Sequence, residues 1–143
     1  MSQRILIVEA EPHAREGLRA ILAGEGHEVS VAADIPTGFE RLTARPFDLL
    51  LLDADLARQE VVLSVLDLLR LARMRDEGAG GVLLTSSVED LPRDLELQGV
   101  VAVLERPVEL ARLRQVLEAR FARAGRARPS GSAWEGEGRR RTG

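Results

Sequence analysis

"RILIVEAEPHARE", Arg4 to Glu16, decides how the chain is read. Ile5 to Val8 form an unbroken apolar run that meets Glu9, Ala10, Glu11 and Pro12, and apolar residues then recur at helical spacing at Ala14, Leu18, Ile21 and Leu22. A short continuous apolar run fits a strand buried on both faces. Pro12 suits the first turn of the following helix, and Gly24 and Gly26 suit its end. Carboxylates at the end of a buried strand, beside other acids, mark a cation or phosphoryl site. Ala10, set between two of them, marks something absent from it.

The alternation continues along the chain. Strand-like runs are ILIV (5–8), EVSVA (28–32), FDLLLLD (47–53), GVLLT (81–85) and VVAVL (100–104), the central ones continuous. Helical spacing appears at Phe39 and Leu42, at Val62, Val65, Leu66 and Leu69, and at Leu110, Leu113, Val116 and Leu117. The fourth helix is expected to be short, because Pro92 falls early in SVEDLPRDLELQG. Strands alternating with helices imply an α/β fold: a parallel sheet covered on both faces, with right-handed crossovers.

Ligands of such sheets bind beyond the carboxyl ends of the strands, near the point where strand order reverses. The predicted strand ends carry Glu9 and Glu11, then Asp53 and Asp55, then Thr85, Ser86 and Ser87, then Glu105, Arg106 and Pro107. An aspartate nucleophile, hard oxygen ligands for magnesium, a hydroxyl and a fixed cation are what phosphoryl transfer to a carboxylate needs. Neither G-x-G-x-x-G nor a P-loop follows any strand, which argues against a dinucleotide fold. His13 and His27 fit no ligand spacing and are read as surface or packing residues.

Composition narrows the class further. A chain of 143 residues is expected to hold one domain. It has no cysteine, no apolar run near the roughly 18 residues of a membrane span and no visible signal peptide, so a soluble cytoplasmic protein is expected. Every basic residue is arginine. Residues 1–122 hold 14 arginines and 21 acids, whereas residues 123–143 hold six arginines and two acids. That Arg/Gly/Ser-rich tail shows no periodicity and is expected to be disordered, with neither membrane nor nucleic acid expected as its partner.

The ordered motifs ILIVEAEP, GHEVSVAADIPTGFERL, PFDLLLLDADL, VLLTSS and VLERPVEL resemble, over residues 4–121, the receiver domain of bacterial two-component response regulators. The resemblance implies a flavodoxin-like doubly wound sheet, (βα)5 with strand order 2-1-3-4-5, in a receiver-like domain over 1–122. It implies that Asp53 is the phosphoacceptor, that Thr85 is the hydroxyl responding to phosphorylation, and that Arg106 stands for the family's lysine. It implies a magnesium site at Glu9, Asp53 and the backbone carbonyl of Asp55. Arg106–Pro107 corresponds to a lysine–proline peptide that is often cis in the family.

Departures from that pattern change the expectation. Ala10 replaces the acid that usually binds magnesium directly, so Mg2+ binding is expected to be weakened. A guanidinium can engage a carboxylate through two bonds, so Arg106 is placed to clamp Asp53. Val103 stands where an aromatic switch residue is usual, and DADLARQEVV lacks the expected proline or glycine. Two readings follow. The favoured one is a stand-alone pseudo-receiver acting by protein–protein contact. The alternative is a response regulator phosphorylated on Asp53 by a histidine kinase or phosphotransfer protein, with no further catalytic activity than accepting and losing that group. A downstream protein partner is expected in either, and on a helical wheel of residues 60–75 Leu63, Leu71 and Met74 fall on the wet side, where single exposed apolar residues are ordinary and a contiguous patch would point to docking or a homodimer.

Overall fold

The computed structural model describes residues 2–58 and 64–127, the side chains of 57–58 and 121–127 excepted. The chain divides into two compact units, residues 1–108 and 109–143. The first runs β1 (Arg4–Val8), α1 (Pro12–Gly24), β2 (Glu28–Ala32), α2 (Ile35–Ala44), β3 (Leu49–Asp53), a 3-10 turn (Ala54–Arg58), α3 (Val65–Arg75), β4 (Gly80–Thr85), two 3-10 turns (Val88–Asp90 and Glu96–Gln98) and β5 (Val100–Glu105). The second contains α4 (Leu110–Ala127).

All strand pairs are parallel, in the order β2-β1-β3-β4-β5. This is the flavodoxin-like order, and it explains the composition of each strand. The inner strands β3 and β4 are buried at every position, and β1 at all but Arg4. The edge strands β2 and β5 are only partly buried, so burial on both faces belongs to the central strands alone. Side chains alternate between faces. Leu6, Val8, Leu50, Leu52 and Leu83 share one core cluster with Ile35 and Leu42 of α2 and Leu68 and Leu69 of α3. Ile5, Ile7, Leu49, Leu51, Val82 and Leu84, which alternate with them, are also fully buried or nearly so. Strand order reverses between β1 and β3, and right-handed crossovers therefore place α1 on one face and α2 and α3 on the other.

Local signals set the helix ends. The Glu11 carboxylate accepts from the Ala14 N–H at 2.7 Å and caps α1, with Pro12 in its first turn. Asp34 caps α2 by accepting from the Thr37 N–H at 2.8 Å. At the start of α3 the Asp67 carboxylate accepts from the Ser64 N–H at 2.9 Å.

Three expectations need correction or relocation. No α-helix forms between β4 and β5. Pro92 lacks an N–H and disfavours helical geometry in the residue before it, and Leu91 is extended at φ −84°, ψ 152°. The crossover is made by two 3-10 turns, the second ending at Gly99 with φ 96°. Leu71 is not on the wet side: it is partly buried against the core cluster, whereas Met74 is 79% exposed and Leu63 lies outside the described residues. Finally, α4 continues past residue 122 to Ala127, through a stretch rich in the strong helix formers Ala and Arg. Residues 128–143, the rest of the tail, lie outside the described residues.

The fit of β4 under α3 is tight. A Cβ at Gly81 would lie 2.8 Å from Leu69 Cδ2, inside contact distance. Gly81→Ala is expected to cost about 1–3 kcal/mol through overpacking. In a Leu69→Ala background the same change should cost much less, as read from a double-mutant cycle in urea. Additive costs would show that this contact is not the cause.

Candidate functional site

Parallel pairing brings every strand's carboxyl end to one rim. Val8 pairs with Leu52, Asp53 with Leu84, and Thr85 with Glu105. Glu9, Asp53, Asp55, Thr85 and Arg106 therefore come from distant parts of the sequence to one place. Glu9, Asp53 and Thr85 are buried, at 1%, 4% and 1% exposure, so their polar groups must find partners within the protein.

Arg106 is the hub. Its N–H donates to the Thr85 carbonyl at 2.8 Å, which continues the sheet by one residue, and its peptide bond to Pro107 is cis. From there the guanidinium reaches back across β4 and β3. Nη2 lies 2.8 Å from Glu9 Oε1 and 2.9 Å from Asp53 Oδ1, and Nε lies 3.2 Å from Asp55 Oδ2. Three carboxylates thus meet one guanidinium.

The remaining negative charge is met by backbone and hydroxyl donors. Asp53 Oδ2 accepts from the Ala10 N–H at 3.2 Å, and Asp53 Oδ1 from the Asp55 N–H at 3.0 Å. Glu9 Oε2 accepts from the Glu11 N–H at 3.1 Å. Asp55 Oδ1 accepts from the Thr85 hydroxyl and the Ser86 N–H, both at 3.3 Å, and Asp55 Oδ2 from the Ser86 hydroxyl at 2.9 Å. Arg15, on α1, donates from Nη1 to the Glu9 and Ala10 carbonyls at 2.9 and 3.3 Å and holds the loop from its outer side.

These contacts resolve the two acids of "EAE". Glu9 turns into the rim, Glu11 caps its own helix, and Ala10 contributes only its backbone N–H to Asp53. Glu11 is exposed and so joins no inward cluster. His13 is exposed as well, while the buried His27 accepts from the Gln3 N–H through Nδ1 at 3.1 Å; neither histidine belongs to the rim.

Electrostatics distinguish the acids. Burial pushes the Glu9 carboxyl above its ordinary range, the Asp53 charge adds to the rise, and the bonds from Glu11 N–H and Arg106 offset it only in part. Burial acts in the same sense on Asp55 but is outweighed by the Ser86 and Arg106 bonds, which hold it below the ordinary range. Arg106 is pushed up: burial opposes its charge, but Glu9 and Asp53 more than compensate.

The carboxylate oxygens that could face a hard dication instead converge on guanidinium nitrogens. Ala10 offers no side-chain oxygen, and among the described residues no group of three His, Cys, Asp or Glu is arranged to hold a metal. A magnesium ion does not fit this arrangement unless Arg106 moves. Reading from sequence missed the inward role of the Asp55 side chain, which was expected to offer only its carbonyl, and the parts played by Ser86 and Arg15. A second acid two residues after a strand-end aspartate, opposite a strand ending in T-S-S, was the available signal for the first two.

The family model for the response regulator receiver domain matches residues 5–118. No curated protein sequence matches the chain. Among solved structures, NtrX from Brucella abortus is 25% identical with a TM-score of 0.74; the alignment covers 87% of this chain and 28% of NtrX. The receiver domain of the sensor histidine kinase PA1611 from Pseudomonas aeruginosa, solved with a magnesium ion in its active-site cleft, is 25% identical with a TM-score of 0.67, covering 85% of this chain and 99% of that one. A receiver domain protein from Clostridium thermocellum shares the fold at 21% identity and a TM-score of 0.70, covering 85% of this chain and 96% of that one. This chain spans under a third of NtrX and nearly all of the Pseudomonas domain. With the sheet order, the acidic rim and a family match over four-fifths of its length in agreement, the chain belongs to the response regulator receiver domains of two-component signalling.

Proposed function

We propose that this receiver works chiefly as a contact module, a pseudo-receiver whose surface is held in one arrangement without phosphorylation. The observation that carries this reading is the Arg106 guanidinium, bonded at once to Glu9, Asp53 and Asp55. Ala10 removes a carboxylate from the rim, and the cation that remains is permanently charged and forked. Asp53, the expected phosphoacceptor, already has both oxygens engaged. A downstream protein would then recognise the rim and its flanking loops.

A second reading has support of its own. Asp53 ends β3 at the switch point beside a hydroxyl-bearing strand end and a cation, and the Pseudomonas relative holds magnesium in its cleft. In that reading a histidine kinase or phosphotransfer protein is the donor. An Asp53 oxygen attacks phosphorus, the P–N bond breaks, and the imidazole leaves with its bonding pair while Arg106 neutralises the phosphoryl oxygens. Arg106 would have to release Asp53 first.

Acetyl phosphate separates the two. Wild type is expected to show little magnesium-dependent uptake at Asp53, and Ala10→Asp with Arg106→Lys to raise it at least about tenfold, or about 1.4 kcal/mol. Strong magnesium-dependent uptake by wild type would overturn the pseudo-receiver reading.

The clamp also has a pH signature. A carboxyl raised by folding binds its proton more tightly folded than unfolded, so stability falls as pH rises from the ordinary glutamate value, about 4.3, through the raised one. Glu9 is such a group. Asp55, shifted down, acts oppositely: its contribution is complete above the ordinary aspartate value and fades as pH falls through the lowered one. Relative to Glu9→Gln, wild type should therefore lose stability as pH rises from about 4.3 through the raised value. Urea unfolding of both proteins across that range provides the check, and a wild type that gains stability relative to Glu9→Gln as pH rises would mean that burial does not dominate at Glu9.

A further inference from the structure

The Asp55 side chain meets Arg106 through Nε, apart from the Nη2 bonds to Glu9 and Asp53, and it takes the largest set of donors among the described residues of the rim. Its two oxygens receive the Thr85 hydroxyl, the Ser86 N–H, the Ser86 hydroxyl and Arg106 Nε. The Thr85 hydroxyl and the Ser86 amide meet at one oxygen, the Ser86 hydroxyl and the guanidinium at the other, and together they form a cradle for an oxyanion. Asp55 follows Asp53 by two residues, and its own N–H donates to Asp53 Oδ1, so the cradle lies next to the carboxylate at the switch point.

We infer that Asp55 is a built-in occupant of this oxyanion cradle. Its carboxylate takes the donors that an oxyanion carried on Asp53 would require, and so keeps the Thr85–Ser87 segment permanently in its anion-bound arrangement. The inference deepens, and rests on, the pseudo-receiver reading of the rim.

Three features of the geometry support it. The hydroxyl and amide donors of the cradle come from β4 and its exit, whereas Asp55 comes from the turn after β3, so the carboxylate ties separate segments rather than capping its own. Thr85 Oγ1 itself accepts from the Ser87 N–H at 3.0 Å, so the tie passes from Asp55 through the Thr85 hydroxyl to the next backbone amide. The Arg106 Nε bond joins β5 to the same carboxylate. One side chain on a five-residue 3-10 turn thus sets the positions of two other strand ends. Asp55 is a positioning residue in this scheme: it acts on the shape that a partner meets.

Amide hydrogen exchange, followed by NMR on the full chain, tests the inference. The proteins to compare are wild type, Asp55→Ala, Asp55→Asn and Ser86→Ala. In Asp55→Ala the residue 86 amide should exchange at least about tenfold faster while amides of β1 and β3 keep their protection, and Asp55→Asn, which retains a neutral acceptor, should fall between. Ser86→Ala should accelerate the residue 86 amide in the wild-type background and have little further effect once Asp55 is alanine. If Asp55→Ala does not fold, the Asp55→Asn and Ser86→Ala comparison carries the test. Unchanged protection at residue 86, or a uniform rise across the sheet, overturns the inference. Strong phosphoryl uptake by wild type together with Asp55-dependent protection overturns the clamped reading but not the cradle. Absent uptake with Asp55-independent protection does the reverse.

Discussion

A single guanidinium compensating three carboxylates at the end of a parallel sheet is the constraint around which the rim of this domain is arranged. Glu9 and Asp53 are almost fully buried, and two like charges at that depth would repel each other and lose their hydration without compensation. Arg106 answers both through one nitrogen and reaches Asp55 through another. Backbone amides of residues 10, 11, 55 and 86 take what is left. Because the guanidinium is planar and cannot lose its proton under ordinary conditions, the compensation has a fixed direction.

The sheet makes this arrangement feasible. With the order β2-β1-β3-β4-β5, β1 and β3 lie side by side although two helices and a strand separate them in sequence, so Glu9 and Asp53 become neighbours at the point where order reverses. β4 adds Thr85 and Ser86 on the next position, and β5 adds Arg106. Each site residue lies at a strand terminus or just beyond it, so its backbone is positioned by ladder hydrogen bonds while its side chain is free to turn inward. The three inner strands supply the buried framework, and the two edge strands face solvent in part.

Much of this was legible in the residues. Continuous runs such as LLLL at 49–52 can serve only a strand covered on both faces or a buried helix, and their shortness decides for the strand. The strand ends were equally plain, because acids, hydroxyls and one arginine stand immediately after the apolar runs. What composition could not show is which way a side chain turns. Glu9 and Glu11 are the same residue on either side of Ala10, yet one is buried at the rim and the other caps a helix, and the difference lies in backbone direction at the strand exit. D-A-D by itself points only to the Asp55 backbone; that its carboxylate finds Ser86 follows only once D-A-D is set beside the T-S-S end of the neighbouring strand. The fourth helix failed for a visible reason, Pro92, whose effect proved larger than shortening: it left no α-helix at all.

Replacing that helix has a mechanical outcome. An α-helix in the crossover would hold the stretch between β4 and β5 through a ladder of mutually reinforcing amide bonds, whereas two isolated 3-10 turns of three residues each share none. Segments with few cooperative backbone bonds open at lower free energy than the sheet they join. The edge beside β5 is thus a compliant border on a stiff plate, able to deform on contact while the strands beneath it keep their register.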